Sequence, residues 1–224
     1  MRVSRQFSRL EVDFVKAAWS GPAWLSAGAA ECRDTPAGTH GVLRKRKPLG
    51  RPLCLYERKR QVPSITLAIE QILTALAETP PHIAEPTVSL TETQLHAAPS
   101  PGEWSANEVL AHLRACADVW GDCIVTIINQ DMPTIRAVNP RTWIKQTNYL
   151  EEEFQPSLQA FTVQRTDLLA ILKPLRPEVW SRSATITGAG KPLVRIVHTY
   201  AQWMADHERP HLKQIKRIAS TMRK

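Results

Sequence analysis

One long amphipathic segment near the C-terminus constrains the fold more than any other feature of the sequence. Between Pro192 and Ile218 the apolar side chains recur at helical spacing and fall within roughly a 100° arc of a helical wheel. His207 and His211 lie inside this apolar stripe, one helical turn apart. Because such a segment must bury one face, we predict a long helix that packs on other helices and turns both imidazoles inward.

Three other segments carry a helical apolar pattern with start and stop signals of their own. The clearest start is Ser105-x-x-Glu108, a capping box in which each side chain bonds a backbone amide of the other residue. Four helices with long connections and no strong strand signal indicate an all-α four-helix bundle. The predicted helices run from Pro63 to a stop at Thr79-Pro80-Pro81, from Ser105 to about Gln130, from Glu151 to Pro174, and from Pro192 to about Ile218.

The connections between these helices are irregular. The stretch from His82 to Gly102 contains several prolines, with room for one helical turn at Thr91 to His96. Residues 131–149 form a crossover that is too long for a simple helical hairpin. Between Trp180 and Pro192 the sequence Ser183–Thr187 and the following glycines predict a short extended hairpin.

The excess of positive over negative charge is confined to the first part of the chain. The formal net charge is +8, but residues 1–60 hold 13 Lys and Arg against 5 Asp and Glu, while the remainder holds 16 of each. We therefore predict a basic, poorly structured arm over residues 1–60, either an extension or the product of an upstream start codon, and a neutral domain over residues 63–221. Nucleic-acid binding would have to use the arm and is disfavoured, because a run such as Arg44–Lys47 is more often a solvated tail.

The cysteines favour a reducing compartment. Cys116 and Cys123 lie on one predicted helix, separated by a rise of roughly 10 Å, which is too far for a disulfide. Cys32 and Cys54 show no metal-ligand spacing. With no apolar run long enough for a membrane span and no signal-peptide pattern, we expect a cytoplasmic protein without a membrane partner.

His207 and His211 also form a candidate metal site. Both rings can reach one ion, and an apolar stripe offers two imidazoles few hydrogen-bond partners. His112, on the flank of the predicted second helix, is a candidate third ligand if the bundle brings the two helices together. Three imidazoles suit zinc or nickel and leave a coordination position open for water or substrate. The alternative is that each histidine is a core residue with an ordinary hydrogen bond.

The string His207-Glu208-x-x-His211 also matches a zinc-peptidase motif, in which the glutamate is a general base. A peptidase is disfavoured, because the thirteen residues after His211 include no Asp, Glu or His to supply the third ligand. Pro210 lies within the motif, and an interior proline costs a helix about 3 kcal/mol. It could kink the last helix between the two ligands.

Two strings in the sequence resemble those of a known family. They are residues 101–113, PGEWSANEVLAHL, and residues 207–215, HERPHLKQI. Together they resemble the DinB/YfiT-like family of metal-dependent enzymes, over about residues 63–221. The resemblance implies a four-helix bundle that holds nickel or zinc with one histidine on the second helix and two on the last. The matching positions in this sequence are His112, His207 and His211.

The same resemblance implies more about the fold and metal than about the reaction. The broader superfamily includes thiol S-transferases that use bacillithiol or mycothiol, and maleylpyruvate isomerases. A hydrolase or thiol S-transferase acting on a small molecule is therefore expected, with a divalent ion and a low-molecular-weight thiol as cofactors. The alternative is a non-catalytic metal- or ligand-binding bundle associated with stress response, and a homodimer is left open. Arg136 and Arg141 in the crossover could anchor an anionic thiol or be ordinary surface arginines.

Three residues close to the histidines could support the metal site. Cys116 lies one turn beyond His112 and could be a fourth ligand, although a small core thiol is the simpler interpretation. Asp206 and Glu208 flank His207 and could orient an imidazole or shuttle a proton. A solvated helix face is the alternative for both carboxylates.

Overall fold

Four long helices build the part of the chain that the structure describes. The computed structural model describes residues 66–224. Helices α1 and α3 each pack against both α5 and α7, so the predicted all-α four-helix bundle is confirmed. In chain order the elements are α1 (Ile69–Thr87), α2 (Glu92–His96), α3 (Ala106–Asn129), β1 (Thr134–Arg136), α4 (Pro140–Trp143), a 3₁₀ turn (Ile144–Gln146), α5 (Phe154–Leu172), α6 (Pro177–Trp180), β2 (Ser183–Thr187), β3 (Leu193–Ile196) and α7 (Val197–Met222).

Two predicted helix starts are confirmed, and both carry a capping box. The Ser105 Oγ accepts a hydrogen bond from the Glu108 amide at 3.1 Å, and the Ser105 amide donates to Glu108 Oε2 at 2.7 Å. The predicted turn at Thr91 to His96 is α2, where Thr91 caps the helix through the Gln94 amide. Because these bonds join residues three apart, the sequence alone is enough to predict them.

The predicted end of the first helix was wrong. Helix α1 continues through Pro80, Pro81 and Pro86 to Thr87 instead of stopping at Thr79. The second half of α1 buries Pro80, Ile83 and Thr87 in the bundle, and this burial offsets the missing proline N–H groups. A proline pair is a weak stop signal where tertiary packing holds the helix on both sides.

The start of the last helix was also predicted too early. A short strand, β3, occupies Leu193–Ile196, and α7 begins only at Val197. β3 pairs antiparallel with β2, which is the predicted extended segment Ser183–Thr187, and β2 pairs in parallel with β1. Gly188 and Gly190 have φ values of +83° and +100° in the connecting turn, a conformation that glycine adopts without strain.

The apolar core lies between the four long helices. The largest fully buried side chains are Phe154, Phe161, Ile72, Leu76, Ile83, Leu95, Leu110, Leu113, Ile124, Ile127, Leu168 and Leu172. Cys116 and Cys123 are buried free thiols, as predicted.

No helix among residues 66–224 is long and apolar enough to cross a bilayer.

Several sequence predictions fall on residues 1–65, which lie outside the described residues. They concern the basic arm with its Arg44–Lys47 run, the thiols Cys32 and Cys54, and the helix start at Pro63. The division of the chain between residues 60 and 63 therefore stays a prediction.

Candidate metal centre

The three predicted histidines meet where α3 packs on α7. The ring centroid of His112 lies 5.1 Å from that of His207 and 5.1 Å from that of His211, and the two α7 rings are 4.7 Å apart. His112 is brought here by the capped α3 helix, which buries nearly every side chain of its first half. α7 runs unbroken past Pro210, so His207 and His211 keep their one-turn spacing.

The shortest contact in the site joins His112 and His207. Their Nε2 atoms are 3.2 Å apart. Two nitrogens that bind one ion tetrahedrally, each about 2.0–2.1 Å from it, lie about 3.3 Å from each other. The observed separation is therefore close to that of two ligands of one ion. The other ring nitrogen of His207, Nδ1, is buried and has no hydrogen-bond partner among residues 66–224.

Cys116 belongs to the tightest group of potential ligands. The Cys116 Sγ lies 3.6 Å from His112 Nε2, and one ligand atom each from His112, Cys116 and His207 all lie within 4.8 Å of one another. A thiolate and an imidazole that share a tetrahedral zinc ion are separated by about 3.6 Å. Cys116, for which the sequence left a fourth ligand and a core thiol as alternatives, therefore lies next to the predicted site.

His211 lies at the edge of this group. Its ring stacks parallel to the Trp104 indole at 6.2 Å between centroids, and its Nδ1 lies 3.0 Å from Gln214 Oε1. Gln214 therefore holds one nitrogen and leaves Nε2 available as a ligand. His211 is outside the compact ligand group of His112, Cys116 and His207, so ligation by all three histidines stays a proposal.

Burial keeps the imidazoles neutral. Burial lowers the pKa of His112 to about 4, with smaller contributions from His211 and Arg141. The pKa of His207 is also lowered to about 4, mainly by burial, and the pKa of His211 is lowered for the same reason. Neutral rings keep the lone pairs that bind a metal. Burial also raises the pKa of the Cys116 thiol to about 12, so without an ion it remains protonated at neutral pH.

A pocket of about 220 Å³ opens onto the histidines. Two tryptophans form part of its wall: Trp104 packs edge-on against His112 at 5.3 Å, and Trp120 packs edge-on against His207 at 5.0 Å. Sequence reasoning gave these two indoles no role at the site, although their positions at and along α3 place them beside His112. The full lining is Trp104, His112, Cys116, Trp120, Asn139, Pro140, Arg141, His207 and His211.

The two acidic candidates have partners other than the imidazoles. Glu208 is 3% exposed, and its carboxylate binds Arg165 of α5 and accepts a hydrogen bond from Thr79 Oγ1 of α1 at 2.7 Å. It therefore contacts the neighbouring helices and does not lie on a solvated face, while its role in orienting a metal ligand stays a prediction. Asp206 pairs with Arg209 at 3.6 Å on the exposed side of α7, as the surface alternative predicted.

The two crossover arginines lie in different places, and only one of them lines the pocket. Arg141 lines the pocket from the short helix α4. Arg136 lies on β1, where its side chain packs beside Gly188, and it is not among the lining residues. Only Arg141 is placed to meet a ligand in this pocket.

The fold and the convergent histidines define a helical bundle with a candidate metal centre. The sequence model of the DinB superfamily matches residues 75–215, and the chain belongs to that superfamily. Among solved structures, YfiT from Bacillus subtilis is similar in fold, with 17% identity and a TM-score of 0.55 over 66% of this chain and 86% of that one. YfiT is described as a probable metal-dependent hydrolase with an unusual four-helix bundle topology. A search of curated proteins found no match.

Proposed function

We propose that the chain is a metal-dependent enzyme, a hydrolase or a thiol S-transferase, in which His112, His207 and His211 hold a nickel or zinc ion. The 3.2 Å separation of the His112 and His207 Nε2 atoms beside a pocket carries this proposal. When bound, a divalent ion lowers the pKa of water or of a thiol, so that a nucleophile forms at neutral pH.

The residues around the proposed ion prepare the site for this chemistry. Burial keeps the imidazoles neutral, so they can bind a cation without first losing a proton. Trp104 and Trp120 pack against the rings, which restricts their rotation and reduces the water around them. The pocket gives a substrate access to the same side of the rings.

Metal content is the first test of the proposal. We expect the purified protein to hold about one nickel, zinc or similar ion per chain, and His207→Ala to lose it. Removing a ligand should weaken metal binding by more than the roughly 10–100-fold typical of losing a supporting hydrogen bond. His96→Ala, which changes a histidine on the exposed side of α2, is the matched control and should keep the ion. A wild-type protein that binds none of these ions stoichiometrically would refute the proposal.

The two reaction types need a separate measurement. For a thiol S-transferase, the metal-loaded protein should consume a low-molecular-weight thiol in the presence of an electrophile. For a hydrolase, it should cleave ester or amide substrates with no thiol present. His207→Ala should abolish whichever activity is found, because both need the ion.

A second candidate function is a non-catalytic metal-binding bundle, and the position of Cys116 favours it. If Cys116 joins the three histidines, four protein ligands fill a tetrahedral ion and no position remains for water or substrate. An ion of that kind is structural, so its removal by a chelator should lower the melting temperature markedly. A catalytic ion with an open position should be removable with a smaller loss of stability.

A further inference from the structure

The metal pocket contains one cationic side chain without a partner. Arg141 lines the pocket, and its guanidinium makes no hydrogen bond or ion pair within residues 66–224. No Asp or Glu is among the lining residues. Arg141 therefore supplies the formal charge of the pocket lining, and that charge is positive.

The backbone of Arg141 is tied to the bundle by the turn that carries it. Its backbone amide donates a hydrogen bond to Asn139 Oδ1 at 2.9 Å, at the start of α4. At the end of α4 the Trp143 indole N–H donates to Asp118 Oδ2 at 2.9 Å, and the Tyr149 hydroxyl donates to the same oxygen at 2.8 Å. Asp118 thus ties the crossover to α3. A cation on a fixed turn loses less entropy on binding than one on a mobile loop.

The positive charge of Arg141 reaches the ligand side of the pocket. Arg141 lines the same pocket as His112, His207 and His211, so its charge acts on the space beside all three rings. A divalent ion between those rings would add to the same positive field. Such a pocket attracts anions and repels cations.

We propose that Arg141 binds the carboxylate of a small organic acid whose apolar body packs against Trp104 and Trp120. A guanidinium forms two parallel hydrogen bonds with a carboxylate, and the two indoles offer apolar surface in the same pocket. The volume of about 220 Å³ is below the roughly 300–1,000 Å³ of pockets for drug-sized ligands, so the acid is small. This inference names the substrate class of the proposed function and rests on that function.

Benzoate and benzamide are suitable probes, because they share a shape and differ in charge. By calorimetry on the metal-loaded full chain, we expect benzoate to bind more tightly than benzamide. Arg141→Gln should weaken benzoate binding by roughly 10–100-fold and leave benzamide unchanged. Arg141→Lys keeps the charge without the planar fork and should fall between the two. Arg209→Gln removes an exposed cation of α7 that is absent from the pocket lining, and it should bind like the wild type.

The same titration with metal-free protein separates this inference from the proposed function. The difference between wild type and Arg141→Gln should persist without an ion, because Arg141 is not a ligand. If benzoate binding vanishes with the ion and is the same in Arg141→Gln, the carboxylate binds the ion and the proposed role of Arg141 is overturned. Equal binding of benzoate and benzamide by the wild type would overturn it as well. If the chain holds no ion and still prefers benzoate through Arg141, the anion site is supported and the metal-dependent function is refuted.

Discussion

Arg165→Met is expected to lower the free energy of unfolding by about 3–5 kcal/mol, the usual cost of leaving one partner of a buried ion pair alone. The side chains of Arg165 and Glu208 are 2% and 4% exposed, and the pair joins α5 to α7. Thr79 on α1 bonds the same carboxylate, so three helices of the bundle meet at Glu208. Urea denaturation of the metal-free protein, followed by circular dichroism, measures the change.

Two comparison variants make the result specific. Arg217→Met breaks an exposed pair with Glu103 and should cost less than about 1 kcal/mol. Arg165→Met combined with Glu208→Leu removes both charges and should recover most of the lost stability, because an apolar pair avoids the desolvation penalty. A single Arg165→Met variant as stable as Arg217→Met would show that the buried pair does not hold the helices together.

If the ion is the structural one of the second candidate function, cobalt(II) bound to the wild-type protein should show a sulfur-to-metal charge-transfer band in the near-ultraviolet, and Cys116→Ser should lack it. The reason is the 3.6 Å distance from Cys116 Sγ to His112 Nε2, which matches the about 3.6 Å between thiolate and imidazole ligands of one tetrahedral ion. Loss of a ligand should also weaken metal binding at least roughly tenfold. Absorption spectra during a cobalt titration report both effects.

Cys123→Ser is the control for the cobalt experiment. Cys123 is a second buried thiol on the same helix and lies outside the candidate ligand group, so this variant should keep the band and the affinity. A wild-type protein that binds cobalt without the band would contradict the prediction and make Cys116 a core thiol. The ion would then keep an open position, which is the arrangement that an enzyme needs.

The sequence predicted those parts of the site that depend on spacing within one helix. His207 and His211 share a face because they are four residues apart, and the capping box at Ser105 fixed where the helix of His112 begins. Glu208 could have been placed by the same reasoning. It follows His207 by one residue, about 100° around the helix, and so it points toward a different neighbour.

Other features depend on contacts between distant parts of the chain. The partners of Glu208 are Thr79 and Arg165, and nothing in their local sequence marks them as a pair. The predicted stop at Thr79 failed for the same reason, because the cost of Pro80 and Pro81 can be weighed only against the burial that the other helices provide. The pairing of β3 with β2 likewise overrides the helical pattern near Pro192.

The attachment of the crossover to α3 bears on how long a substrate can be. Asp118, which anchors the turn of Arg141, and His112, which faces the proposed ion, lie on one unbroken helix. The span between the backbone of Arg141 and the proposed ion is then set by a rigid element, and the length of the arginine side chain limits how far the guanidinium can move. A molecule that must reach both ends at once fits only a limited range of chain lengths, and a homologue outside that range loses one of the two contacts. Homologous acids should therefore differ in affinity by their length more than by their acidity.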